Sequence, residues 1–309
     1  MPQSEQSQAQ DIRTPDASVA VLGYAVFWRL SGVQLSHADL CQALTGAGFG
    51  RYAPALPLPT TALRRALLNF AHWFWQETVL LRAVSRAPYV LALVQEHLDS
   101  QGNLMYQTRL RVQYDEAAQD ICCTRQPGGP IDATTEDPRV SATLRPLFQE
   151  ACQTHTGEDL SRVLRAIMTS CSAVRLQRGV YFVPARASAP LQRLDALVAS
   201  LPGAPLLATL ARLDERRTRE RLVHAIHADL MRELDGMEAR LTAMQAVHAQ
   251  PETNMLCQHL VSFRALHTKA QIYAELLGGR LQEINARLEA LQTSVQDLVL
   301  VDVNDLLPA

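Results

Sequence analysis

Residues 255–300, MLCQHLVSFRALHTKAQIYAELLGGRLQEINARLEALQTSVQDLVL, place Leu256, Leu260, Phe263, Leu266, Ala270, Tyr273, Leu277, Leu281, Ile284, Leu288, Leu291, Val295 and Leu298 at mixed steps of three and four. Their mean spacing is close to the heptad period, so the stretch reads as one long coiled-coil helix. Upstream, Val223, Ile226, Leu230, Leu234, Met237, Leu241 and Met244 form a second stripe of the same kind, and the break between them, His248–Thr253, contains Pro251. Two long helices joined by a short turn fold back as an antiparallel hairpin, roughly 50 Å or more long at about 1.5 Å per residue. Gly278 and Gly279 interrupt the second stripe at about 1 kcal/mol each relative to Ala, a cost that a long helix tolerates.

Immediately before this hairpin, residues 139–213 read as a small α+β module. Helices are expected over about 141–153 and 157–174, then a strand at Gly179–Val183, a helix over about 188–200 and a strand at Pro205–Leu213. Further upstream, Tyr89–Glu96 and Met105–Tyr114 flank the polar turn Asp99–Asn103 and form a β-hairpin. Strict alternation puts Tyr106, Thr108, Leu110, Val112 and Tyr114 on its core face and Gln107, Arg109, Arg111 and Gln113 on its solvated face. A short apolar piece, Asp120–Thr124, and the turn Pro127–Pro130 follow.

The first hundred residues supply three helical signals. Val19–Leu30 is dense enough in apolar residues for a buried helix. Ser36 with Asp39 three residues later marks an N-cap ahead of Leu40, Ala43 and Leu44. After the proline-rich link Ala53–Pro59, a helix starting near Thr60 carries Leu63, Leu67, Phe70 and Phe74 on one stripe. Gly46–Gly50 lacks the Gly-Lys-Ser/Thr ending of a phosphate loop and reads as a helix C-cap.

The expected architecture is therefore α+β, mostly α. Residues 1–17 form a disordered tail, 18–138 a helical unit with a β-hairpin, 139–213 the α+β module, 214–300 the coiled-coil hairpin, and 301–309 a second tail. The net charge of -2 at 309 residues conceals blocks that follow this division: -2 over 1–17, +4 over 18–87, -5 over 88–138, +5 over 139–213 and -4 over 214–309. With 48% hydrophobic residues, the chain is neither wholly disordered nor a disulfide-stapled mini-protein. Its 6 cysteines show no Cys-x-x-Cys pair and no zinc spacing, so they read as thiols of a reducing compartment. His224 and His227 with Cys257 and His259 fall short of three or four converging ligands, and no metal or cofactor is expected. Neither a leader sequence nor an apolar run of about 18 residues is evident, which implies a cytoplasmic protein with no membrane contact. Of the 29 basic residues only Lys269 is lysine, a bias that codon usage alone explains.

Arg178-Gly179-Val180-Tyr181-Phe182-Val183-Pro184, followed by a helix and then a long helix bearing Lys269–Leu277, resembles a family of uncharacterised proteins from bacteriophages, plasmids and other mobile elements. The resemblance covers about the C-terminal two thirds of the chain and brings no activity with it. What it implies is a mobile-element setting, and hence a role around DNA.

The order helix, helix, helix, hairpin in the basic first unit is that of a winged-helix module, which makes DNA a candidate partner. Arg64 and Arg65 open the third helix, and Arg109 and Arg111 project from one face of the hairpin about 7 Å apart, near the phosphate step along a strand. These four are the candidate nucleic-acid contacts, with the coiled coil mediating self-association or binding to a protein partner. The resulting expectation is a non-enzymatic DNA-associated or assembly protein. A protein–protein scaffold or adaptor with no nucleic-acid contact is the alternative, marked by an exposed apolar patch in place of clustered arginines. An enzyme would need a pocket with converging His, Asp or Glu, for no catalytic motif is present.

Overall fold

A computed structural model describes residues 20–74, 79–86, 89–125, 138–203, 205–246 and 253–304. The tail 1–17 and the turn Pro127–Pro130 lie outside the described residues. In chain order the elements are β1 (Val21–Arg29), β2 (Gln34–Ser36), α1 (His37–Gly46), α2 (Pro59–Phe74), β3 (Val79–Arg86), β4 (Tyr89–Leu98), β5 (Leu104–Asp115), β6 (Asp120–Arg125), α3 (Pro138–Gln153), β7 (Thr154–Thr156), α4 (Gly157–Ser170), β8 (Val174–Gln177), β9 (Val180–Pro184), α5 (Ser188–Ser200), β10 (Leu206–Leu213), α6 (Arg216–Ala246), α7 (Thr253–Ile272), α8 (Ala274–Leu277) and α9 (Arg280–Asn304). The chain is α+β, and it divides into two compact units that interleave in sequence. One comprises the residues up to Arg29, Arg165–Val198 and those from Leu206 onward, and the other Leu30–Leu164 with Ala199–Pro205.

The first unit is built on an antiparallel sheet of order β10-β1-β9-β8. Taken with α4 and α5, the succession strand, helix, strand, strand, helix, strand is the split β-α-β-β-α-β topology, with the second unit inserted in sequence after its first strand. The apolar run read as a helix, Val19–Leu30, is thus the inner strand β1. Ala25 and Val26 point to opposite faces and both are buried, so the strand shows no alternation and its pattern mimics a buried helix. Phe182 and Val174 pack on one side into a cluster with Leu222, Ile226 and Leu230 of α6. Tyr24 and Thr209, on the other face, line a small hollow with Leu191 and Asp195 of α5.

The C-terminal helices depart from the expected two-helix hairpin. α6 spans 31 residues, about 46 Å at 1.5 Å per residue, and α7 runs antiparallel to it, with Lys269 between Asp229 and Glu233. The second stripe does not continue as one helix. Gly278 takes φ +53° and ψ −127°, which glycine alone accepts readily, and its amide caps α8 on the Ala274 carbonyl. The chain reverses there, and α9 returns alongside α6, tied by Arg287 to Asp235 and Glu238 and by His227 to Glu283. Leu230, Leu234, Leu266, Tyr273, Ile284 and Leu288 fill the core of the resulting three-helix bundle. The heptad pattern survives this break because all three helices still bury one stripe.

In the second unit the Ser36 hydroxyl accepts from the Asp39 amide at 3.1 Å and starts α1 as its sequence implies. The strands β3-β4-β5-β6 form an antiparallel meander. One face, carrying Leu91, Leu93, Leu110, Val112 and Ile121, packs on Leu63, Leu67 and Phe70 of α2 and Leu144 and Phe148 of α3. β2 pairs with β7 in a separate two-stranded ribbon. This is not a winged helix: the expected first helix is a strand of the other unit, and the hairpin is the middle of a four-stranded sheet.

β5 also departs from strict alternation. Thr108 pairs with Val94 and Leu110 with Leu93, so Arg109 is an extra, bulged residue. Adjacent residues of β4 face opposite ways, so Thr108 and Tyr106 lie on the face away from Leu110, Val112 and Tyr114.

Candidate functional site

The four arginines are not brought together. Arg64 is exposed on α2, whereas Arg65 reaches Asp159 at 2.7 Å and also donates to the Thr154 carbonyl. Arg109 donates through Nε to the Gln95 side chain. Arg111 stands on the sheet face away from α2, in a cross-strand row with Arg82, Ala92 and Thr124. Since α2 covers the opposite face, Arg64 and Arg111 belong to surfaces on opposite sides of this layer pair. Arg65 is committed to an internal ion pair.

That ion pair belongs to a buried polar chain. Asp159 accepts from Arg65, from Arg162 at 2.6 Å and from the Thr156 amide at 2.9 Å. Burial would raise its carboxyl, yet the bonds from Arg65 and the Thr156 amide and the charges of Arg65 and Arg162 hold it below the ordinary carboxylate value. His155, almost fully buried, lies 3.0 Å through Nε2 from His37 Nδ1 and 3.6 Å through Nδ1 from Asp159. Burial, the largest influence, lowers its pKa, opposed by Asp159 and reinforced by His37 and Arg65.

Cys41 extends the chain and suggests a thiol nucleophile beside its base. Its sulfur is 3.5 Å from His37 Nε2 but also 3.9 Å from Nδ1. Near-equal distances put the sulfur off the lone-pair line of either nitrogen, so the imidazole is not placed to take its proton. The cluster reads as a tie between α1, α2, β7 and the start of α4. A buried neutral His155 makes a testable contribution to stability. Its folded pKa lies below the unfolded value of about 6.5, so between the two the unfolded chain binds more protons and stability falls as pH is lowered from about 6.5 through the folded pKa. Urea midpoints at several pH values between 7.5 and 5 are expected to show this loss and His155→Gln to flatten it. His259, lowered by burial and by Arg240, adds a contribution of the same sign. An unchanged slope in the variant would remove His155 from this role.

Two surface features were not legible as sites in the sequence. At the end of the β4–β5 hairpin, Leu98 (67% exposed), Leu104, Met105 and Tyr106 (53%) stand in solvent. Leu98 pairs with Leu104, His97 with Met105 and Glu96 with Tyr106. The turn beneath them is stiff: Asp99 accepts the Gln101 and Asn103 amides at 2.8 Å each and the Asn103 side chain at 3.0 Å, which keeps its carboxyl below the usual range. The flanks of this apolar tip, Glu96 and Asp99, are acidic.

The second feature lies on the first unit. Register places Arg29, Phe27, Leu206, Ala208, Leu210 and Arg212 on one face of β1 and the edge strand β10. Phe27, Leu206 and Leu210 (52%) are exposed, and the two arginines close the patch at either end.

The model of a family of unknown function, DUF6744, matches residues 21–303, and the chain belongs to that family. No curated protein and no solved structure matches it.

Proposed function

We propose that the protein is a non-catalytic assembly protein whose copies associate head to tail, in the mobile-element setting that its sequence resemblance implies. The observation that carries this reading is the pairing of an apolar hairpin tip having acidic flanks with an apolar sheet face having arginines at both ends. Leu98, Leu104, Met105 and Tyr106 supply the insert, while Phe27, Leu206 and Leu210 supply the seat. Glu96 and Asp99 meet Arg29 and Arg212 around it. The tip and the seat are different surfaces, so the contact is heterologous and repeats from copy to copy instead of closing a two-fold dimer. Each patch is small, so the association is weak, around micromolar, and depends on concentration and salt.

Sedimentation velocity over a concentration series tests this. The sedimentation coefficient of the native chain is expected to rise with concentration, and Leu98→Glu with Met105→Glu to hold it at the monomer value. A coefficient independent of concentration in the native chain would overturn the reading.

Nucleic-acid contact is the second reading, favoured by the row of Arg82 and Arg111 on the outer face of the β3–β6 sheet, with Tyr106 on the same face. Arg82 is exposed and Arg111 half-buried, and cations sharing a sheet face with an aromatic ring suit single-stranded phosphate and base. Binding of fluorescent single-stranded DNA at about 50 mM salt should weaken steeply at about 200 mM, and Arg82→Ala with Arg111→Ala should flatten that dependence. Unchanged binding in the double variant would remove the row from the argument.

A further inference from the structure

The single lysine of a chain otherwise committed to arginine is buried in the wall of a cavity. About 420 Å³ in volume, within the range of small-ligand pockets, the cavity lies in the first unit at the β8 edge of the sheet, bordered by the end of α4 and by α6 and α7. Lys269 Nζ donates to Asp229 at 3.0 Å and to Glu233 at 2.6 Å. Asp229 is satisfied from three sides, by Lys269, by Arg232 at 2.8 Å and by the Arg175 amide at 3.3 Å.

Counting the groups that line the space shows what is left over. Three cations, Lys269, Arg175 and Arg232, line the space with two carboxylates, Asp229 and Glu233, an excess of one positive charge. An ammonium has three N–H bonds, and two of Lys269's are used. Arg175 is exposed, and its guanidinium has no ion pair among the described residues. Arg232 spends one nitrogen on Asp229 and stays mostly exposed. Donors that outnumber local acceptors, on a compact ammonium and two planar forks, match the several oxygens of a phosphate group. Alongside them, Tyr181 is the cross-strand neighbour of Arg175 and stacks on Trp28 at 5.1 Å and 4°. Ser172, in the left-handed region at φ +57°, ends α4 at the rim, its carbonyl held by the Tyr273 hydroxyl at 2.7 Å.

We propose that this cavity binds the phosphate group of a small phosphorylated ligand, with Arg175 and Arg232 gripping it at the mouth and Lys269 donating from the wall. The two carboxylates are ion-paired within the protein by Lys269 and Arg232, and Asp229 also accepts the Arg175 amide. The site is independent of the tip and seat, so it stands or falls apart from the assembly reading.

Isothermal titration of the full chain with inorganic phosphate, AMP and adenosine tests it. Saturable binding of AMP with none of adenosine is expected, together with weakening by added chloride. Phosphate binding as well as AMP would identify the free anion as the ligand, and AMP binding better would identify an ester. Lys269→Met risks the fold by stranding Asp229, so Arg175→Ala and Arg232→Ala, both at exposed positions, carry the test. Each is expected to weaken binding about tenfold or more, the size of a lost charge-assisted hydrogen bond. No saturable binding of phosphate or AMP at millimolar concentration, or full affinity in both arginine variants, would overturn the proposal.

Discussion

Gly23→Ala is expected to cost about 3 kcal/mol or more of folding stability and to leave much of the chain unfolded in dilute urea. A Cβ at this position would stand 2.2 Å from the Val183 carbonyl oxygen and 2.7 and 2.8 Å from carbons of the Phe182 ring. Neither neighbour can yield cheaply. Val183 is held in the ladder between β1 and β9, and Phe182 is fully buried against α6 and the rest of the bundle core. β1 cannot retreat either, because β10 pairs along its other edge. Gly46→Ala is the matching control. Nothing lies within 4 Å of its Cβ position and the residue ends α1, so that variant should be neutral or gain up to about 1 kcal/mol. Urea denaturation followed by circular dichroism measures both. A Gly23→Ala midpoint within error of the native one would mean that β1 does not pack on β9 at this register.

What could be read from the sequence was what is decided within a few residues. The Ser36 cap, the α2 stripe, the turn at Asp99–Asn103 and the helices α3 to α6 depend on local hydrogen bonds and on one buried face, and they stand where the sequence puts them. β1 was misread because apolar residues occupy both its faces and its middle, Ala25 and Val26, is buried on both, which erases the period that separates strand from helix. The Gly278 turn was misread for a different reason. A glycine tolerated inside a helix and a glycine that ends one look alike until the returning helix α9 is known to find a second apolar face on α6 and α7. At Arg109, one bulged residue transfers Tyr106 from the core face to the other, and nothing near it in sequence announces the bulge.

The candidate arginines show the same limit. Arg65 has the right position on α2 for a surface contact, but its partner Asp159 is 94 residues away in sequence and takes it out of solvent. The apolar tip was hidden because Leu98, Met105 and Tyr106 resemble core residues of a hairpin that happens to extend beyond the layer covering it. Residues that continue an apolar pattern past the end of the core are the ones whose exposure only the packed sheet can reveal.

Mixing two assembly-defective variants is expected to restore association, but only as far as a pair. Leu98→Glu with Met105→Glu spoils the tip and leaves the seat intact, whereas Leu210→Glu spoils the seat and leaves the tip. Alone, each should sediment as a monomer at concentrations where the native chain grows. Mixed in equal amounts, the intact tip of the seat variant can enter the intact seat of the tip variant. The joined pair then offers only a damaged tip at one end and a damaged seat at the other, so growth stops at two copies. An isologous contact behaves otherwise: both halves of a two-fold interface use the same patch, and a mixture of damaged copies gains no fully intact contact. All substituted side chains are exposed, so the fold should tolerate the changes, and circular dichroism checks this. The charges of Glu96, Asp99, Arg29 and Arg212 add salt sensitivity, so raising the ionic strength from about 50 to 200 mM should weaken both native growth and the mixed pair. If the mixture stays monomeric while the native chain assembles, tip and seat are not partners and the contact must be sought on other surfaces.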